Sequence, residues 1–271
     1  MTTATQSARS ESARLRPPWP RQLAMAAIGF AALFLAWELS VRYYFNSILV
    51  PSPAVTYHAA KEMLLSGELF KHVGASLARV LVGYFAGCAI GIVLGVLIGR
   101  IRIFRELFDP VIELVRPISP VAIVPLAMLW FGIGEGSKIF VIVWASVFIV
   151  LLNTAAGVAQ TPRTRIRAAP TLGARPLQIF TRVAVPSAVP FILTGMRVAL
   201  GFAFMGVVAA ELIGAREGIG FVIMNSRNLM QTDQLFVGLL ALGVVGAFID
   251  RVFRMLLDRS TRRYMQFHQS V

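Results

Sequence analysis

Stretches without Asp, Glu, Lys or Arg recur along the chain at 22–37, 80–99, 117–134, 139–162, 183–196 (resuming after Arg197 to 210) and 234–249. With its flanks, each reaches the roughly 20 residues that a helix needs to cross about 30 Å of hydrocarbon. The pattern predicts six transmembrane helices, at 22–41, 78–99, 115–133, 138–158, 188–213 and 234–256. Pro117, Pro120 and Pro125 interrupt the third, which reads as a kinked span, since neighbouring helices can satisfy freed backbone groups in a membrane. Before the first span, residues 1–21 are polar, proline-containing and aperiodic, the pattern of a disordered cytoplasmic tail. Trp37-Glu38-Leu39-Ser40 offers no small-x-small cleavage site, so the first span reads as uncleaved.

Composition agrees. Of 271 residues, 57% are hydrophobic and 14% charged, yet the net charge is +13. A mean hydropathy of +0.72 excludes a soluble nucleic-acid-binding domain as the reason for that charge. A single cysteine, Cys88, excludes an internal disulfide and any Cys-paired metal site. With the N-terminus inside, 17 of the 26 Lys and Arg fall on inner segments, seven on outer ones, and Arg116 and Arg197 within spans. That bias follows the positive-inside rule, and six spans return the C-terminal tail, 259–271, to the cytoplasm.

Within span two, Gly83, Gly87, Gly91, Gly95 and Gly99 recur every four residues and form one smooth stripe. Such a stripe predicts close approach of a second helix, because packing along small residues drives association in lipid. Span five repeats the theme with Gly195, Ala199, Ala203, Gly206 and Ala210, which suits a central position or a subunit interface and a path-lining helix; Thr194, Met205 and Val208 are its path-facing candidates by position. Arg197 is read as structural, pairing with Glu113 or reaching headgroups. Glu38 and Glu211 are placed at outer helix ends within reach of water, and Asp250 and Arg251 at the inner end of span six. The three histidines, His58, His72 and His268, are too scattered for a metal site.

Gly132 to Lys138 imitates a phosphate-binding loop, but Ser137 separates Gly136 from Lys138 and Ile139 stands where a hydroxyl would ligate Mg²⁺. It reads as a turn between spans three and four. With no nucleophile elbow or dinucleotide fingerprint elsewhere, the chain reads as a non-enzyme whose chemical energy comes from another subunit or an ion gradient.

The loop after span four is about thirty residues long, more than a connection needs. Thr161-Pro162 can open a short helix, Gly173 permits a sharp turn, and Pro176 to Val183 can form a second, amphipathic helix. That helix could lie on lipid or dock in a groove of a partner.

Here Ala168-Ala169, Gly173 and Val183-x-Val185-Pro186 resemble the coupling loop of permease subunits of ATP-binding-cassette importers. Leu49-Val50-Pro51-Ser52-Pro53, Trp130-Phe131-Gly132-Ile133-Gly134, Leu193-Thr194-Gly195-Met196-Arg197 and Ala209-Ala210-Glu211 extend the resemblance, over about 37–257, to the nitrate/sulfonate/taurine group. The resemblance implies an all-α type I permease fold: a first helix and periplasmic segment over 22–73, a permease domain over 74–258, and a cytoplasmic coupling helix. It implies a second permease copy, as a homodimer, two ATPase subunits that bind ATP and Mg²⁺, and a periplasmic or lipoprotein binding protein. No cofactor would be bound by this chain. It gives Arg167, Ala168, Ala169, Gly173, Arg175 and Pro186 the role of engaging the ATPase, in a bacterial inner membrane. The chain departs from the pattern at Arg167, where the group has Glu, and at Pro170; Ser119 and Ile149 stand where members often have Pro. The competing class is a gradient-driven secondary carrier, which needs ionisable coupling sites near mid-membrane.

Overall fold

A computed structural model describes residues 19–265 apart from 45, 47 and 48, and every regular element in it is a helix. The expected tail at 1–21 therefore lies almost wholly outside the described residues. The chain divides into two compact units, 1–59 and 60–271.

In the first unit, α1 (Trp19–Tyr43) carries a stretch from Ala24 to Tyr43 apolar enough to cross a bilayer. Trp37 donates its indole N–H to the Pro51 carbonyl at 3.2 Å, tying the end of the helix to the loop that follows. Helix α2 (Pro53–Leu65), within which the division between the units falls, begins on a proline, whose missing N–H costs nothing at a first turn.

The second unit holds α3 (Glu68–Arg100), α4 (Arg102–Val115), α5 (Pro120–Phe131), α6 (Glu135–Ala159), α7 (Arg163–Thr171), α8 (Pro176–Ile179), α9 (Val185–Gly214), α10 (Ile219–Asn228) and α11 (Thr232–Met265). Helix α3 starts ten residues before the span expected from hydropathy. Its charged first turns run on as helix, and Gly67, at φ +78°, makes the turn that precedes them.

Helix α6 is the centre of this unit. On one side, a Cβ added at Gly83, Gly87, Gly91, Gly95 or Gly99 would come within 2.5–3.0 Å of α6 atoms, from Ile142 through to Val158. On its other side, Gly157 lies under Phe191, and Gly195 and Gly206 of α9 lie against Asn153 and Ala145. Both seams are close backbone approaches that only small residues allow. Of the two places that small-residue spacing allowed for span five, a central position or a subunit interface, the structure gives the central one to span four. One face of α9 is buried through Ala199, Ala203, Gly206 and Ala210, while Val198, Phe202 and Met205 are exposed. Tyr84, fully buried between these helices, satisfies its hydroxyl by donating to the Met196 carbonyl at 2.9 Å.

The third span differs most from expectation. The segment left between the second and third expected spans, 100–114, is mostly helix α4, and α4 and α5 meet at a bend of 101°. Prolines at 117 and 120 remove two backbone donors, and Pro120 forces Ser119 into an extended conformation, ψ 141°. Pro125 sits inside α5 without breaking it. At the other end of the chain, helix α11 continues to Met265, into what was expected to be a tail.

Candidate functional site

Helices α3 and α6 begin, and α9 ends, at one end of the bundle, the end that the arginine bias assigns to the outside. Four ionisable side chains from these helices meet there: Arg79, Glu135, Lys138 and Glu211. Arg79 of α3 donates from Nε and Nη2 to the two oxygens of Glu135 at 2.6 and 2.9 Å, a bidentate grip that suits the planar guanidinium. Its Nη1 donates to Glu211 of α9 at 2.7 Å and to the Glu217 carbonyl at 2.6 Å. Lys138 adds a bond to Glu135 at 2.7 Å.

Glu211 is 1% exposed, so its placement near water is corrected: protein groups, not solvent, satisfy it. Besides Arg79 it accepts from the Ser76 hydroxyl at 2.8 Å and from the Gly220 amide at 2.9 Å. Ser76 in turn accepts from the Ile219 amide at 2.8 Å, and His72 Nδ1 accepts from the Gly218 amide at 3.1 Å. The turn between α9 and α10 is thus sewn to α3 by its own backbone. It needs glycine twice, since a Cβ at Gly218 would fall 2.4 Å from the Glu211 carboxylate and one at Gly220 2.6 Å from the Glu211 Cβ. Gly218 also sits at φ +126°. Sequence reading missed this cluster. Its one available signal was an Arg and a Glu on different spans at the same end of the bundle.

The opposite end carries the long loop. Helix α7 stops in a closed turn: the Gly173 amide donates to the Pro170 carbonyl at 2.9 Å and the Ala174 amide to the Ala169 carbonyl at 3.1 Å. This pattern requires a left-handed residue at the position after the cap, and Gly173 supplies it at φ +76°. The second helix is not separate, as the sequence suggested. Helix α8 passes through a π turn (Phe180–Ala184) straight into α9, so the loop is rigidly continuous with a membrane helix, and Pro186 sits in the first turn of α9. Ala169 is buried, whereas Arg167, Ala168 and Arg175, around the turn, are all exposed. Leu172 and Leu177, flanking it, are 87% and 73% exposed. The loop therefore presents two large apolar side chains among cations.

Of the path candidates, Thr194 is exposed and bonded to the Pro190 carbonyl at 2.9 Å, and Val208 is half-buried against the core. Met205 alone of the three lines a cavity of about 480 Å³ beside the α4–α5 bend. Arg197 pairs with Asp250 at 3.5 Å, not with Glu113, and Asp250 also accepts from Arg254 at 2.8 Å.

Close helix seams, an ion-paired end and a cation-bearing loop at the other end, on helices long and apolar enough to cross a bilayer, define a multi-pass α-helical membrane protein. Residues 90–264 match the family described as binding-protein-dependent transport system inner membrane component, and the chain belongs to that family. It is 35% identical to the taurine transport system permease protein of Escherichia coli (strain K12), over 92% of this chain and 94% of that one. It is 31% identical to the nitrate import permease protein of Synechocystis sp., over 85% and 86% of the two chains. The fold matches a chain of a crystal structure of an amino acid ABC transporter with histidines, with TM-score 0.59, 15% identity, and 75% and 97% of the two chains covered.

Proposed function

We propose that this chain forms the transmembrane pathway of an ATP-driven importer for a small oxoanion such as a sulfonate or nitrate, in a bacterial inner membrane with both termini cytoplasmic. A second, identical copy completes the pathway, a binding protein delivers substrate from outside, and two separate ATPase subunits hold the ATP and Mg²⁺.

The observation that carries this reading is the 163–184 loop. Leu172 and Leu177 project from a turn fixed by Gly173, and the segment after it continues without a break into α9. A push on such a loop is a push on α9, and through the α9–α6 and α6–α3 seams on the whole second unit. Two-state rocking of the spans then follows from ATPase closure, as differential binding of the two ATPase states to the two permease states. Arg167, Ala168, Ala169, Gly173, Arg175 and Pro186 make up the docking element.

The test compares tagged wild-type chain with Gly173→Asp. An added Cβ at 173 meets nothing within 4 Å and Asp is among the residues that best tolerate positive φ, so the strain stays local to the turn, and the variant's level in membranes, read alongside, checks that it folds. Wild-type chain should bring an ATPase subunit through purification and have no ATPase activity alone, and Gly173→Asp should lose ATP-driven uptake. Uptake by liposomes holding this chain alone under a sodium or proton gradient would instead make it a secondary carrier.

A further inference from the structure

The cavity at the α4–α5 bend is lined by Arg116, Ser119, Trp144, Phe148, Phe202 and Met205 among others. Three helices give its depth independently. Twelve residues of α5 separate its first turn from the Gly132 turn, about 18 Å at 1.5 Å per residue. Trp144 lies nine residues into α6 and Met205 nine before the end of α9, about 14 Å from the same end of the bundle. The cavity therefore sits near the middle of about 30 Å of hydrocarbon. The Trp144 indole closes one side of the bend by donating to the Ile118 carbonyl at 3.2 Å.

Arg79, Lys138 and Arg197 each have a carboxylate within 4.0 Å. Arg116, exposed in the single chain and lining the cavity, has neither an ion pair nor a side-chain hydrogen bond among the described residues. An unpaired guanidinium facing a cavity at this depth is a functional candidate by default, and its free donors favour an anion there. Its planar fork matches two oxygens of a carboxylate or sulfonate. The rest of the wall is mostly aromatic and aliphatic, and its volume falls within the roughly 300–1,000 Å³ range of small-molecule sites.

We infer that this cavity is an anion station in the permeation path, where Arg116 holds the head group of an organic oxoanion whose apolar body lies against Trp144, Phe148 and Phe202. The inference rests on the pathway reading above and narrows its substrate from oxoanions in general to sulfonates or carboxylates with an apolar part. Arg116 is the specificity-determining residue. Bare nitrate leaves the aromatic wall unused and binds more weakly.

The test uses the full chain in nanodiscs and reads quenching of Trp144 fluorescence by 4-nitrobenzenesulfonate, with Trp144→Phe as the blank. Saturable quenching should be at least about tenfold weaker for the neutral 4-nitrobenzenesulfonamide and for Arg116→Gln, and should survive in Arg116→Lys. Pentanesulfonate should displace the probe at lower concentration than nitrate. Equal binding of sulfonate and sulfonamide by wild-type chain overturns the assignment even if Arg116→Gln fails to fold. Nitrate competing as well as pentanesulfonate overturns the apolar-body part. Capture of the ATPase by wild-type chain, read separately, reports on the importer reading alone, so the two failures are distinct.

Discussion

Removing Arg79 from the outer-end cluster separates the buried part of that network from its exposed part. Glu211 is wholly buried as a side chain, whereas Glu135 is 57% exposed. Two opposite charges about 4 Å apart attract by about 4 kcal/mol at an effective dielectric of 20. Breaking a buried pair by deleting one partner typically costs about 3–5 kcal/mol, because the other charge stays behind uncompensated. Arg79→Leu should therefore destabilise the fold by about 3–5 kcal/mol, and Glu211→Leu by a similar amount. Glu135→Gln should cost no more than about 1 kcal/mol, since water replaces a half-exposed partner. The double variant Arg79→Leu with Glu211→Leu removes both charges and should cost well under the sum of the two single changes, a coupling of about 2 kcal/mol or more. Reversible unfolding of the purified chain in mixed detergent and SDS micelles reads these differences. Additive single costs, or Glu135→Gln as damaging as Glu211→Leu, would refute the claim that the buried Arg79–Glu211 pair carries the cluster.

Gly95→Ala should destabilise by about 1–3 kcal/mol, because the new Cβ would meet the Leu151 carbonyl at 2.5 Å and the two backbones must separate. On the same helix Gly74→Ala meets nothing within 4 Å and should gain about 0.5–1 kcal/mol from helix propensity, measured in the same micelles. Arg167→Glu reverses a charge on the exposed face of the loop, so co-purification of the ATPase should fall, and unchanged recovery would show that this position takes no part in docking. Gly218→Ala should be among the most damaging single-methyl changes, since strain at φ +126° adds to the clash with Glu211; a Gly218→Ala chain as stable as wild type would contradict the geometry.

The parts legible in the sequence were those written as local patterns. A run of about 20 apolar residues has one reading in a membrane, and glycine every fourth residue has one packing consequence. The turn at Gly173 follows from a single residue type. What stayed hidden was pairing over distance. Arg79 and Glu211 are 132 positions apart, and hydropathy treats each only as the edge of a span. The partner of the glycine stripe, α6, carries no complementary stripe of glycines, since it offers Ser146, Val150 and Thr154 to the seam. The bend at 116–119 was visible as prolines, but its angle, and the cavity it opens beside Arg116, depend on where α6 and α9 stand.

The central claim, that the loop between α6 and α9 is where this chain is driven, is tested most directly by site-specific photo-crosslinking in native membranes. A photoreactive residue replaces Leu172, beside the Gly173 turn, or Leu129, which is 79% exposed near the other end of the bundle. The account predicts a crosslink to an ATPase subunit from position 172 and none from position 129. No crosslink from 172, or an equal one from 129, would contradict it.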